Sequence, residues 1–137
     1  YPADLRYRVV AEVEHYPDVL PWVLGLRGRS RSDRQVIAEM LVGYKGFRER
    51  YTSRVTLDPE HRRIDVEQAE GPFDHLTNHW QFTPMENGCE VDFAIDFAFK
   101  SRILGAVAGA AFERALMKMT EAFEARAKKI MAEEGVG

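Results

Sequence analysis

The chain has 137 residues, 45% of them hydrophobic and 30% charged, with a formal net charge of −3. Those numbers describe one globular domain, residues 1–137, and the acidic balance argues against a dedicated DNA or RNA binder. A single cysteine, Cys89, excludes an internal disulfide or a four-thiolate zinc site and suits a reducing compartment, and no apolar run approaches the roughly 20 residues that span a bilayer.

Residues 3–15 carry Leu5, Val9, Val10 and Val13 at helical spacing, with Pro2 suited to the first turn. Pro17 and Pro21 bracket a second short helix around Asp18 to Leu20. From Val23 the period changes to two. Val23 to Arg31 reads as a strand with Arg27, Arg29 and Arg31 on one side, and Gln35 to Tyr44 as a strand with Val36, Ala38, Met40 and Val42 on one side. Phe47 to Leu57 follows, with Phe47, Tyr51, Val55 and Leu57 inward and Arg48, Arg50 and Arg54 outward. After the turn at Asp58-Pro59-Glu60-His61 comes the strand Arg63 to Glu70, broken by Gly71-Pro72-Phe73. Asp74 to Met85 places Leu76, Asn78, Trp80 and Phe82 on one face, and Asn87-Gly88 signals a hairpin. The last strand, Cys89 to Lys100, aligns Cys89, Val91, Phe93, Ile95, Phe97 and Phe99.

Ser101 then caps one long helix running to about Glu134. Its apolar stripe is thin at first, because residues Gly105 to Ala111 read Gly-Ala-Val-Ala-Gly-Ala-Ala, and bulkier from Phe112 onward. The pattern predicts an α+β helix-grip fold: a curved antiparallel sheet wrapped around a long C-terminal helix, with two short helices near the N-terminus. A slender helix leaves space under such a sheet, and an apolar ligand is expected to fill it.

Several segments carry a resemblance. Tyr16-Pro17-Asp18-Val19-Leu20-Pro21-Trp22 resembles the Tyr-Pro-x-Phe-Leu-Pro-Trp signature of the coenzyme Q-binding branch of the START/polyketide-cyclase (SRPBCC, Bet v 1-like) superfamily. Gly71-Pro72-Phe73, Leu76, Trp80-Gln81-Phe82, Phe97-Ala98-Phe99-Lys100-Ser101 and Ala122-Phe123-Glu124-Ala125-Arg126-Ala127 match the same branch in order and spacing. Val19 replaces that signature's aromatic, and the family's first strand would precede Tyr1. The resemblance implies a carrier for ubiquinone or a related isoprenoid lipid, supporting respiration or quinone biosynthesis. It implies no catalytic cofactor. The location it implies is cytoplasmic, with peripheral contact at the inner face of the cytoplasmic membrane. The branch also includes ribosome-association toxins, described as binding the large ribosomal subunit, and the wider superfamily includes polyketide cyclases.

The expected cavity wall is Trp22, Met40, Phe47, Tyr51, Phe73, Asn78, Trp80, Phe82, Phe93, Phe97, Ala108, Phe112 and Met119. Flat apolar walls suit a quinone ring, although inward aromatics equally form ordinary core. Phe73, after Gly-Pro, is the expected gate, and Gln68, Glu70, Asn78 and Tyr44 are candidate partners for ligand oxygens. On the outer face, Arg27, Arg29, Arg31, Arg48, Arg50 and Arg54 surround Ile37 and Leu41. This surface is read either as a solvated face or as a dock for anionic lipid headgroups or ribosomal RNA. His75 and His79 share a strand face about 13 Å apart, too far for one metal ion. No nucleophile elbow, phosphate loop or carboxylate pair points to catalysis.

Overall fold

The computed structural model describes residues 2–133 apart from 45, 46 and 87. Within its strands and helices, the side chains of Arg29, Tyr44, Phe47, Leu104, Val107, Ala108 and Ala111 are outside the described set. Six strands form one antiparallel sheet in chain order: β1 Val23–Arg31, β2 Gln35–Tyr44, β3 Phe47–Asp58, β4 Arg63–Glu70, β5 Phe73–Met85 and β6 Gly88–Phe99. Two short helices precede it, α1 Ala3–Ala11 and α2 Tyr16–Val19, and α3 Arg102–Glu133 follows. This is the expected helix-grip arrangement of a curved sheet holding one long helix.

The helix expected over residues 3–15 is split. Glu12 leaves helical geometry at φ −80°, ψ 69°, and Val13–His15 continue as a single 3-10 turn. The tighter turn drives Val13 fully into the core. Register shifts in β1 fall between Val23 and Gly25 and between Gly28 and Ser30, with another at Ala69 of β4, opposite Thr52 and Ser53, and one in β5. Each bulge bends its strand and adds twist, which curves the sheet. Gly88 opens β6 at φ 146°, a conformation that L side chains rarely adopt and that fits the Asn-Gly signal.

The main core joins Val36, Ala38, Val55, Leu57 and Ile64 of the sheet to α1 and to the distal half of α3 through Phe123, Ala127 and Ile130. Arg6 of α1 pairs with Glu124 of α3, and Phe123 meets Trp80 at 5.8 Å and Tyr16 at 5.5 Å. The first half of α3 is held separately. Phe112 sits 5.1 Å from Phe73 and 4.6 Å from Phe97.

The bend at Gly71-Pro72 fixes that second attachment. Gln68 Nε2 donates to the Phe73 carbonyl at 2.8 Å, and the Phe73 amide donates to Gln68 Oε1 at 3.0 Å. Lys100 N donates to the Pro72 carbonyl at 3.0 Å, tying the bend to the start of α3. Gln68, a candidate for ligand oxygens from its strand face, is therefore used by the backbone. A Cβ at Gly71 would collide with Gln68 Oε1 and stand 3.1 Å from the Tyr51 ring. Gly71→Ala is expected to lose both Gln68 bonds and cost about 1–3 kcal/mol. Gln68→Ala should cost a similar amount and the pair should be strongly non-additive, as read by denaturant midpoints of both single mutants and the double.

Candidate functional site

Between the two attachments of α3 lies a cavity of about 200 Å³. Its helix side is Phe112, Ala115, Leu116, Met119 and Phe123. Its sheet side draws on every strand, including Val23, Met40, Tyr51, Val66, Trp80 and Phe93, and Trp22 and Leu20 close one end. The alternation of each strand produces this wall: Met40 pairs with Tyr51, Val55 with Val66, and Trp80 with Phe93, so one inward row crosses the sheet.

Of the residues expected at the wall, Trp22, Met40, Tyr51, Phe73, Asn78, Trp80, Phe93, Phe112 and Met119 are brought together there. Phe82 and Phe97 are not. Phe82 is buried two residues further along β5, stacked with Trp80 at 6.0 Å and edge-on to Tyr7 at 6.2 Å. Phe97 stands behind the wall, against Phe73, Phe99 and Phe112. The side chains of Phe47 and Ala108 lie outside the described residues. The small-residue start of α3 does not supply the described lining: Gly105 packs on Phe99, a Cβ at Gly109 would meet nothing within 4 Å, and the lining begins at Phe112. Phe73 is only 6% exposed and is ringed by Tyr51, Phe97, Phe99 and Phe112, so it serves as the hub of an aromatic cluster in this conformation.

The lining residues that the sequence-based wall left out include Tyr16, Ser53, Leu76, Ile95, Ala115 and Leu116. All but Tyr16 and Ser53 sit on the apolar faces already identified. Ser53 was legible only through its register between Tyr51 and Val55.

Among the described lining residues no side chain is charged. The polar ones are neutral donors and acceptors. Tyr16 donates its hydroxyl to the Val10 carbonyl at 2.5 Å, and Trp80 Nε1 donates to Asn78 Oδ1 at 3.0 Å. Burial pushes the Tyr51 phenol up to about 12, with the Ser53 hydroxyl acting in the opposite sense. Burial, reinforced by Tyr51 and Glu14, raises Tyr16 further. A second cavity, about 290 Å³, lies between α1, α3 and the β5–β6 edge and contains Arg6, Glu124, Cys89 and Thr120. An apolar guest there would have to desolvate an ion pair, an unfavourable exchange.

On the outer face the expected neighbours do align: Arg27 is opposite Glu39, Leu41 opposite Arg50, and Ile37 opposite Arg54. Three of the arginines are partnered. Arg31 meets Glu14 at 2.8 Å, Arg54 meets Glu67 at 2.6 Å, and Arg50, with 84% side-chain exposure, lies 3.8 Å from Glu39. Arg27, Arg48 and Leu41 are exposed, Ile37 is half-buried, and the Arg29 side chain lies outside the described residues. His75 meets Asp96 at 3.2 Å and His79 meets Asp65, both on exposed ground. No helix of the described residues is long and apolar enough to cross a membrane.

A curved sheet that grips a long helix over a hollow whose described lining is uncharged defines the helix-grip class. Residues 1–124 match the family described as polyketide cyclase / dehydrase and lipid transport, and the chain belongs to that family, within the START/polyketide-cyclase superfamily. It is 38% identical over 134 residues to the "Ribosome association toxin RatA" of Rickettsia prowazekii, covering 96% of this chain and 92% of that one. It is 31% identical over 140 residues to the mitochondrial "Coenzyme Q-binding protein COQ10 homolog B" of Xenopus laevis, covering 99% of this chain and 57% of that protein. The solution structure of the 18 kDa protein CC1736 from Caulobacter crescentus superimposes with a TM-score of 0.74 at 39% identity, covering 96% of this chain and 92% of that one.

The buried phenol sets an alkaline limit. The unfolded phenol ionises near its ordinary value of 10, while the folded one holds its proton to about 12. The stabilisation is therefore complete below about pH 10 and is lost as pH rises from there through 12, on the order of 3 kcal/mol in all. Alkaline unfolding followed by circular dichroism and phenolate absorbance should show this slope, and Tyr51→Phe should make it shallower while leaving the part that the buried Tyr16 phenol contributes. Ionisation of Tyr51 near pH 10 in folded protein would contradict the burial argument.

Proposed function

We propose that this protein holds an uncharged, ring-bearing isoprenoid lipid of the coenzyme Q type in the cavity beneath α3, as a carrier rather than a catalyst. The observation that carries this reading is the lining itself: aromatic and aliphatic walls with no charged side chain among the described residues. A volume of about 200 Å³ is of the order of an engineered cavity of about 150 Å³ that admits benzene. It fits one substituted ring, and a long tail would have to leave past α3. Similarity to the COQ10 homologue supports the quinone class. The lining's described titratable groups are Tyr16 and Tyr51, both shifted upward by burial, so neither is poised near neutral pH for acid–base work. Glu70, at the exposed end of β4, is not among the lining residues. Because such lipids reside in bilayers, loading involves transient peripheral contact with a membrane, taken here as the inner face of the cytoplasmic membrane.

Solvent extraction of protein purified from a ubiquinone-producing host, followed by mass spectrometry, should recover a quinone or polyprenyl lipid at a substantial molar ratio. Ala115→Phe, which places a ring in the void from the helix side, should leave the protein folded and abolish recovery. Repeated extraction without lipid from the unmodified protein would count decisively against the reading.

A second reading, association with ribosomes, draws on the name of the 38%-identical relative and on the exposed Arg27 and Arg48 of the outer face. Phosphate contacts by such groups are strongly salt-dependent. Cosedimentation with ribosomal subunits at low salt should then fall sharply in an Arg48→Glu/Arg50→Glu double variant. No cosedimentation of the unmodified protein would remove this reading and leave the first untouched.

A further inference from the structure

Asn78 is the one carboxamide among the described residues of the cavity wall, and its orientation is fixed by chemistry. The indole of Trp80 has only a donor, so the 3.0 Å bond from its Nε1 requires the amide oxygen of Asn78 on that side. The opposite end, the NH₂ group, carries two donor hydrogens. Its cross-strand neighbours are Val66 and Ile95, and its same-face neighbours along β5 are Leu76 and Trp80. None of the four side chains offers an acceptor. Trp80 supplies the sole recorded hydrogen-bond partner of the Asn78 side chain among the described residues. Asn78 is nonetheless part of the cavity lining and only half-buried, because it faces the void. The Asn78 NH₂ keeps access to the void, and a guest that seals it off without offering an acceptor leaves the donor unpaired at a cost, so a cavity of this kind favours a guest that brings an acceptor.

We infer that Asn78 is the specificity-determining residue of the cavity: its Trp80-oriented NH₂ donates to a carbonyl or ether oxygen on a neutral ligand. The inference rests on the ligand reading above and adds the position and sense of the polar contact. It assigns the oxygenated end of the ligand to the β4–β5–β6 wall, between Val66 and Ile95. The tail is left to the Ala115–Met119 side. It also ranks ligand classes. A quinone satisfies the amide at no charge cost. A hydrocarbon of the same shape leaves it unpaired. A fatty-acid carboxylate would accept the bond but would have to enter a wall with no cation among its described residues.

Both tryptophans of the chain, Trp22 and Trp80, line this cavity, so intrinsic fluorescence reports occupancy directly. Three probes are titrated: decylubiquinone, farnesene as an oxygen-free isoprenoid, and palmitate. The unmodified protein should bind decylubiquinone at least about tenfold more tightly than farnesene, the size of one hydrogen bond to a buried amide. Asn78→Leu should erase that preference while keeping farnesene affinity, which also certifies that the variant is folded. Asn78→Asp keeps an oxygen for Trp80 and nearly the same volume but has no NH₂. It should lose decylubiquinone binding more severely. If the unmodified protein binds farnesene and decylubiquinone equally, or if Asn78→Leu keeps the quinone preference, the Asn78 assignment is wrong while the lipid-carrier reading stands. If neither isoprenoid binds, both fall.

Discussion

One helix has to cover the concave face of a six-stranded sheet, and it touches that face firmly in two places. Phe112 is locked into the cluster of Phe73, Phe97 and Phe99, and Phe123 into Trp80 and Tyr16. From Phe112 to Phe123 is 11 residues, about 16 Å of helix at 1.5 Å per residue. Over that span α3 offers Ala115, Leu116 and Met119, and the space beneath stays unfilled. The helix cannot sag into it. Its proximal end is held by Phe112, and the bend beside its start is clasped by Gln68 and Lys100. Its distal end is held by Phe123 and by Arg6 on Glu124. At about 24 cal/mol per Å³, a void of about 200 Å³ costs on the order of 5 kcal/mol when empty. That is comparable to the whole net stability of many domains. A guest that fills the space recovers much of this term, so occupancy and stability are linked in this fold.

The strands and their inward faces were legible because a two-residue period survives any sheet curvature. That is why Met40, Tyr51, Asn78, Trp80 and Phe93 could be placed on one surface from sequence. Depth along a strand was not legible. Phe82 and Trp80 share a face and lie two residues apart, yet only Trp80 borders the main cavity. The difference is set by where α3 crosses β5, which no local pattern encodes. The same limit applies along the helix. The run of small residues suggested a hollow near Gly105–Ala111; the described lining on α3 runs from Phe112 to Phe123, while a Cβ at Gly105 would meet Phe99 and one at Gly109 would meet open space. Gln68 shows the converse case: a residue with the right face for ligand contact is consumed by a turn, because Gly-Pro leaves a backbone amide and carbonyl that need partners.

The two faces of the sheet follow different electrostatic rules. The outer one balances arginine against glutamate across strands, as with Arg54 and Glu67. Exposed pairs of this kind contribute little stability, commonly under about 1 kcal/mol. They keep the arginines oriented and leave Arg27 and Arg48 to interact outward. Among the described residues that line the cavity, the inner face has hydroxyls and one amide in place of charge, because a charge there would have to shed its hydration without a partner. The chemistry of a guest is thus restricted before its shape is considered.

That restriction bears on how the two surfaces relate. They are opposite sides of the same strands: Tyr51 and Ser53 face the cavity while Arg50, Thr52 and Arg54 face out on β3. A guest pressing on the wall therefore acts on the strands that carry the arginines. The bulge at Ala69 of β4, opposite Thr52 and Ser53 of β3, is the point at which such pressure can change curvature without breaking the ladder. The helix side offers the other outlet, since between its two attachments α3 presents mainly small or flexible side chains to the void. A larger guest would displace whichever side resists less. Because β3 is paired along its length with β2 on one side and from Thr52 to Asp58 with β4 on the other, while the middle of α3 has only side-chain contacts, the helix should yield first and the outer face should keep its shape on loading.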